Sequence, residues 1–431
     1  FKWIQEAVDK RGAKIICVDP RYTQSASKSH LYAPLRSGTD IAFLGGMIKY
    51  ILDNNLYFDE YVKSYTNASF LVNPDFKLPG DNKGVFSGLA DGKYIKDTWS
   101  YQTDAEGVIK KDRTLQDPNC VFQLLKKHYS RYTPELVCRI TGTPKDKLVE
   151  VYKLFGSTGK PDKAGVELYA MGWTQHTVGV QNIRTMCIIQ LLLGNMGIAG
   201  GGIAAMRGES NVQASTDHGL LFHILPGYLG TPSGSLPTLA AYNEKNTPTT
   251  KEKESLNWWK NKPKYVASFL RSMYGENASL DEAYSLLPKV DDGANYSWLQ
   301  IFDQMYKEKF TGFFAWGMNP ACSGAHSNKV RQAMTKLDWM VNVNLFDNET
   351  GSFWCGPGMD PKKIKTEVFM LPCAASIEKE GSIANSGRLM QWRYKAVDAP
   401  GDALPDGDIM SEIFFKVKEL YEKEGGPNKE A

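Results

Sequence analysis

The 431-residue sequence has few of the features that mark a membrane, nucleic-acid-binding or metal-cluster protein. It has no apolar run of about 18 residues, so no membrane-spanning helix is expected. The net charge is only +3 and the basic residues are interleaved with acidic ones, which gives nucleic-acid binding little support. The seven cysteines and six histidines form neither a C-x-x-C pair nor an H-E-x-x-H motif. Any metal ion must therefore be held by another group.

The residues that are abundant indicate a globular enzyme with more than one lobe. Hydrophobic residues make up 42% of the chain and aromatic residues 12%, and 431 residues exceed the size at which a single core usually stops growing. Strand and helix patterns alternate often enough to predict α/β lobes. Residues 66–118, rich in Gly, Asp, Asn and Lys, are predicted to be a surface insertion. Residues 226–256 are predicted to be a long irregular connection.

Both ends of the sequence lead us to expect a piece of a larger polypeptide. There is no initiator Met or signal peptide, and a helix over residues 1–11 precedes a strand, Ala13 to Val18, so the chain opens inside a βαβ unit whose first strand is missing. Thr143 and Pro144 predict a helix start. The last predicted helix runs from about Asp408 to Lys423, before a polar tail, Gly425 to Ala431.

The stretch from Tyr169 to Gln213 carries most of the functional argument. A predicted strand, Val166 to Met171, leads through a polar turn to a helix that stops at Gly194, and four glycines between 197 and 202 follow. Glycines let a backbone come close to a large ligand because they lack a side chain. Arg207 follows in a polar cluster, residues 207–213, with little reason to form a regular element. Its guanidinium matches a small carboxylate, although a structural arginine between two lobes remains the alternative.

Other candidate side chains stand at predicted strand ends, where open α/β sheets bind ligands. Asp19 could accept hydrogen bonds from a ribose or a guanine, with Arg21 beside a phosphate, or Pro20 could simply fix a turn. Asp40 could cap a helix and also help to bind a nucleotide. The segment from Gly317 to Asn319 follows a strand of the second lobe and is as well explained by a turn. Each lobe could thus bind half of one large cofactor.

At these residues the chain resembles the formate dehydrogenase branch of the molybdopterin oxidoreductase (dimethyl sulfoxide reductase) family, and most closely its respiratory, periplasmic members. The resemblance is colinear from Phe1 to the tail. The segments that carry it are Val18-Asp19-Pro20-Arg21, Leu35-Arg36-Ser37-Gly38-Thr39-Asp40, Met171-Gly172-Trp173-Thr174-Gln175-His176, Leu193-Gly194-Asn195-Met196-Gly197 and Arg207-Gly208-Glu209-Ser210-Asn211-Val212-Gln213.

The resemblance implies two Rossmann-like doubly wound α/β lobes, incomplete at both termini. Residues 1–207 would bind one pterin guanine dinucleotide and residues 208–345 the other, while residues 346–431 would lead towards a C-terminal lobe. The two pterins would hold molybdenum or tungsten. The metal-binding selenocysteine or cysteine, its neighbouring histidine and the cysteines of an iron–sulfur cluster are expected upstream of Phe1.

Roles carry over to this chain by position in the matching segments. Arg207 would orient formate at the metal, and Glu209, where some members have Gln, would contact a pterin. The other residues that the resemblance assigns to the cofactor are Val18, Asp19, Arg21, Gly38 and Asp40 for one guanosine diphosphate arm, Met171, Gly172 and Gln175 nearer its pterin, and Gly317, Met318, Asn319 and Asn344 for the other arm.

The implied activity is oxidation of formate to carbon dioxide, with electrons leaving through iron–sulfur clusters. The implied partners are an iron–sulfur subunit, with or without a cytochrome subunit, in the periplasm; no nucleic acid is expected. Arg207 in its Arg-Gly-x-x-Asn setting favours formate. Two alternatives stay open: another molybdopterin oxidoreductase such as a nitrate reductase, and a non-catalytic pterin-binding or structural fragment. Without the upstream metal ligand, this polypeptide alone is expected to be inactive.

Overall fold

The computed structural model describes residues 1–426 and divides them into two compact units. The first unit comprises Phe1–Gly208 and Thr250–Leu256, and the second comprises Glu209–Thr249 and the described residues from Asn257 onward. Within this described part, no helix is both long and apolar enough to cross a membrane.

The first unit alternates helices with short strands. Its elements are α1 (Lys2–Arg11), β1 (Ile16–Val18), α2 (Gln24–Ser27), β2 (Leu31–Ala33), α3 (Asp40–Asp53), α4 (Asp59–Tyr65), β3 (Leu89–Ala90), β4 (Lys93–Tyr94), α5 (Val121–Tyr129), α6 (Pro134–Thr141), α7 (Lys145–Gly156), β5 (Val166–Tyr169), α8 (Met171–Thr174), α9 (Gly179–Leu193) and β6 (Gly202–Ala205), with a 3-10 turn at Pro79–Asp81.

Helix α3 is the centre of this unit's core. Ten of its residues are buried, and it packs against α5, α6, α7 and α9, as expected for a helix that is apolar on nearly every side. Gly46 makes this packing possible, because a Cβ there would lie 2.9 Å from Val137 Cγ2 and closer still to the Tyr152 hydroxyl. That hydroxyl donates a hydrogen bond to Phe43 O at 2.6 Å.

Two parallel strand pairs place the loops that follow them. Strand β1 pairs with β2, and β5 pairs with β6. Parallel neighbours have their carboxyl ends at the same edge, so the residues after Val18 and Ala33 lie together, as do those after Tyr169 and Ala205.

The structure differs from the sequence-based expectation at several element ends of this unit. Strand β1 begins at Ile16 rather than Ala13, and β5 ends at Tyr169 because the chain turns at once into α8. Thr143 does not cap α7, which begins at Lys145; its hydroxyl instead donates to Pro34 O at 2.6 Å. The predicted insertion, residues 66–118, is mostly turns, although Ala68 and Leu115 belong to the core.

The second unit contains the remaining elements. These are α10 (Val212–Asp217), β7 (Ile224–Leu225), β8 (Leu229–Gly230), α11 (Leu239–Asn246), α12 (Lys262–Tyr274), α13 (Leu280–Leu286), α14 (Trp298–Tyr306), β9 (Gly312–Trp316), α15 (Pro320–Ser323), α16 (Ser327–Met334), β10 (Trp339–Asn344), β11 (Glu367–Pro372), β12 (Gly381–Ala384), β13 (Met390–Arg393) and α17 (Asp406–Glu424), with 3-10 turns at Pro226–Tyr228, Trp258–Asn261, Phe353–Cys355 and Pro361–Lys363.

A parallel three-stranded sheet, in the order β11-β10-β9, organises this unit. Helices α14 and α16 cover it with a core that includes Phe302, Met334 and Met340. The stretch 226–256, expected to be irregular throughout, contains helix α11, whose start is capped by Thr238. The final helix extends from Asp406 to Glu424; most of the predicted polar tail lies outside the described residues.

Candidate functional site

The first group of candidate residues lies at the shared carboxyl edge of β1 and β2. Asp19 N donates to Ala33 O at 3.4 Å, which joins the two strand ends. The Asp19 carboxylate accepts from Arg21 N at 2.8 Å, and Asp19 O accepts from the Tyr32 hydroxyl at 3.0 Å. The strand-end turn considered from the sequence is therefore present. It leaves Val18 and Arg21 exposed.

Asp40 is the best-defined candidate in the structure. It opens α3 and is 8% exposed. Its Oδ1 accepts a hydrogen bond from Trp173 Nε1 at 2.7 Å, whereas its Oδ2 is buried without a hydrogen-bond partner in the described structure. Gly38, just before it, has a φ of 80° and open space where a Cβ would stand. A buried carboxylate oxygen without a donor fits a ligand that supplies one.

Trp173 connects Asp40 to a second group of candidates at the edge of β5 and β6. The indole stacks on Tyr169, the last residue of β5, with ring centroids 5.8 Å apart. Met171 is exposed, and Gly172 has open space around its Cβ position. Gln175 follows α8 with an exposed side chain. The exposed side of this turn is therefore accessible to a ligand.

Arg207 lies at the same edge, two residues beyond β6. Met206 N donates to Tyr169 O at 2.7 Å, which continues the β5–β6 pairing to that point. The side chain of Arg207 is exposed. The first unit thus brings Arg207 and the Met171–Gln175 turn to one sheet edge, and Trp173 links that edge to Asp40.

The candidates of the second unit form one hydrogen-bonded group at the carboxyl ends of β9 and β10. Gly317, with a φ of 61°, donates its N–H to Val343 O at 2.9 Å. Asn344 Nδ2 donates to Met318 O at 3.0 Å. Asn319 Nδ2 donates to Glu349 Oε2 at 2.5 Å. This bond holds the pKa of Glu349 below its ordinary value.

The polar cluster after Arg207 differs from the expected ligand loop. Glu209 is exposed in the turn before α10, which begins at Val212, so the expectation of an irregular segment was wrong from that residue onward. Asn211 Oδ1 accepts from Ala384 N at 3.1 Å, and Gln213 is 3% exposed and donates to Asp217. Two of the polar side chains therefore form internal contacts.

Two residues of the site were missed by sequence reasoning. Trp173 was recognised only as part of a motif, and Glu349 was not singled out as a candidate. That segment, Asn348-Glu349-Thr350, lies in the loop after β10, and the Thr350 hydroxyl donates to Asn319 Oδ1 at 2.9 Å. The position after a strand was the signal that could have identified Glu349.

These donors and acceptors fit a large nucleotide-like cofactor better than a metal ion bound by protein side chains. Within residues 1–426, no group of three or more His, Cys, Asp or Glu side chains could hold a metal. In the first unit, the open backbone at Gly38 and Gly172, together with the unpartnered oxygen of Asp40, suits a ligand with planar rings and N–H donors.

Fold and site are those of an α/β protein whose strand-end loops are accessible to a ligand, and the sequence comparison identifies its family. The chain belongs to the molybdopterin oxidoreductase family, whose profile matches residues 2–353. This membership implies a molybdenum or tungsten pterin cofactor and confirms the predicted fold class.

The curated relatives are formate dehydrogenase subunits. The alpha subunit of formate dehydrogenase from Megalodesulfovibrio gigas is 60% identical over 428 residues, which is 99% of this chain and 42% of that protein. The alpha subunit of formate dehydrogenase 2 (cytochrome c-553) from Nitratidesulfovibrio vulgaris is 50% identical over 431 residues, with the same two shares. The chain thus spans 42% of the length of these relatives.

A solved structure shares the fold. Acetylene hydratase from Pelobacter acetylenicus aligns with a TM-score of 0.52 and 17% identity, over 97% of this chain and 44% of the other. At this identity the likeness concerns the fold alone.

Proposed function

We propose that this chain is the pterin-binding part of a formate dehydrogenase catalytic subunit, which oxidises formate to carbon dioxide, a proton and two electrons. The observation that carries the proposal is the Asp40 carboxylate, which accepts a hydrogen bond from Trp173 through one oxygen and whose other oxygen is buried without a hydrogen-bond partner in the described structure. Identity of 60% to a formate dehydrogenase alpha subunit supports the choice of substrate.

Arg207 is the proposed substrate-binding residue. A planar guanidinium donates two parallel hydrogen bonds to a carboxylate, so it would fix both formate oxygens and leave the C–H bond facing away from them. A substrate fixed in this way is held in the orientation that the reaction requires, which lowers the entropic part of the barrier. The exposed position of Arg207 at the end of β6 leaves room for such a ligand.

The cofactor arms would be bound by the residues predicted from the sequence. In the first unit, Asp40 Oδ2 would accept from a guanine N–H, Arg21 would pair with a phosphate, and Gln175 would contact the pterin. In the second unit, Asn319 and Asn344 would bind the other guanine dinucleotide, with Glu209 at a pterin. The bound molybdenum or tungsten would supply the two-electron acceptor.

The whole enzyme would extend beyond the residues described. We propose a selenocysteine or cysteine metal ligand, an adjacent histidine for the proton and an iron–sulfur cluster, all supplied by preceding sequence. Electrons would pass to an iron–sulfur subunit and then to a cytochrome in periplasmic anaerobic respiration. The cytochrome c-553 in the name of one relative supports that acceptor class.

The test is the cofactor content and substrate choice of the purified full-length protein. Formate should reduce a viologen dye, nitrate should not be reduced, and acid extraction should release a guanine-containing pterin together with molybdenum or tungsten. Nitrate turnover without formate turnover would replace this function with that of a nitrate reductase. Absence of both pterin and metal would indicate a structural protein.

A further inference from the structure

Three side chains of the second unit converge on one carboxylate oxygen, Asp217 Oδ1. Gln213 Nε2 donates to it at 2.8 Å and Arg388 Nη1 at 3.1 Å. The Tyr228 hydroxyl donates to the same oxygen in a short bond. We call Gln213, Asp217, Tyr228 and Arg388 the Asp217 cluster. Charge-assisted bonds of this kind are stronger than neutral ones.

Two members of the Asp217 cluster have a backbone conformation that L-residues seldom adopt. Tyr228 has a φ of 59° and Arg388 a φ of 63°, both in the left-handed region. Each ends a turn, one at Pro226–Tyr228 and the other between β12 and β13. Strained residues of this kind persist where the surrounding structure holds them, and they are concentrated at functional sites. Here both turns direct a donor to the same carboxylate.

The Asp217 cluster fixes the segment that follows Glu209. Helix α10 ends at Asp217, and the buried Gln213 lies in its first turn. Before the helix, Asn211 Oδ1 accepts from Ala384 N at 3.1 Å, which ties the chain to strand β12. Residues 211–217 are therefore held at both ends, at β12 and at the two strained turns.

We propose that Asp217 is a positioning residue for formate oxidation, which fixes residues 209–213 through the Asp217 cluster and so orients Glu209 and the backbone that continues from Arg207. This inference rests on the proposed function. None of the cluster's side chains needs to touch the substrate. Their effect would be on formate binding, because a mobile 209–213 segment loses the oriented state that binding requires.

A purely structural role makes a different prediction for Arg388→Gly. Glycine adopts a positive φ without strain, so this change relieves the turn while it removes the guanidinium. If Arg388 only shapes the turn, thermal stability should rise or stay unchanged, and formate KM should stay at the wild-type value. If the Asp217 cluster positions the segment, thermal stability is retained but formate KM rises on the order of tenfold.

The experiment compares Arg388→Gly and Tyr228→Phe with wild type in the full-length holoenzyme. Tyr296→Phe is the matched control, since that half-buried tyrosine also donates to a nearby aspartate, Asp291, at 3.3 Å. The measurements are formate KM and kcat, melting temperature, pterin content, and amide hydrogen exchange of residues 209–217 by mass spectrometry.

The proposal predicts faster amide exchange in residues 209–217 and a raised formate KM in both cluster variants. Pterin content should be unchanged, and the control Tyr296→Phe should match wild type. Wild-type exchange and KM in both variants would overturn it. If the wild-type enzyme does not oxidise formate, the proposed function fails, and exchange in 209–217 alone decides whether the Asp217 cluster fixes the segment. Should Tyr228→Phe fail to fold, Arg388→Gly carries the test.

Discussion

Glu167 on strand β5 should make the stability of this protein depend strongly on pH. Its carboxyl oxygen Oε2 is buried without a hydrogen-bond partner in the described structure, although the residue as a whole is only half-buried. Burial raises the pKa of Glu167 from 4.5 to about 8, and a hydrogen bond from Gln190 offsets a smaller part of that rise. The acid is therefore neutral in the folded protein at pH 7.

The size of the effect follows from the two pKa values. Folding raises the pKa of this acid, so the folded state binds the proton more tightly than the unfolded state does. The stability of the protein is therefore highest below the unfolded pKa and falls as pH rises towards the folded value of about 8. Between pH 5 and pH 8 the loss is about 3–4 kcal/mol, because stability falls by about 1.4 kcal/mol per pH unit between the two pKa values and by less near each of them. A loss of this size is readily measured in a domain with an ordinary free energy of unfolding of about 5–15 kcal/mol.

The assay is unfolding of Glu167→Gln and wild type across pH 5 to 8 in the full-length protein. The amide does not titrate, so the variant should lose the part of the pH dependence that Glu167 contributes and be more stable than wild type at pH 8. Glu60→Gln, on the exposed face of α4, is the control and should follow the wild-type curve. Equal pH dependence in wild type and Glu167→Gln would refute the burial argument.

Three further substitutions and one control substitution test the core and the cofactor site. Gly46→Ala should destabilise the protein by about 1–3 kcal/mol in thermal unfolding, because its Cβ meets Tyr152 and Val137, whereas Gly80→Ala has open space and should be neutral. Trp173→Phe removes the indole N–H that Asp40 Oδ1 accepts from, and the loss of that bond should cost about 1–3 kcal/mol in the same assay. Asp40→Ala should lower the guanine pterin content of purified protein, and normal occupancy would count against the proposed guanosine contact.

The sequence predicted the strand ends of the site because their signals are local. An apolar strand followed by Asp19, or by Gly317, is visible within a few residues, and parallel pairing then brings such ends to one edge. Strand β9, Gly312–Trp316, ends just before Gly317, as the sequence predicted. Helix α3 could also be predicted from the sequence, because its apolar residues extend along the whole helix.

The contacts that complete the site could not be read from local pattern. Trp173 donates a hydrogen bond to Asp40, which is 133 positions away in the sequence. The Thr143 hydroxyl donates to Pro34 O, which is 109 positions away. Such pairs depend on how helices pack, which periodicity does not encode. The same limit applies to Asn211 and Gln213, whose polarity suggested a ligand but whose partners are Ala384 and Asp217.

Formate turnover by the Arg207→Lys variant of the full-length enzyme tests the central claim most directly. Lysine keeps the charge but not the two parallel hydrogen bonds, so kcat/KM should fall by about 30-fold, equivalent to about 2 kcal/mol of transition-state stabilisation. Pterin and metal content should stay at wild-type levels. An unchanged kcat/KM with a full cofactor complement would contradict the assignment of Arg207 to the formate carboxylate.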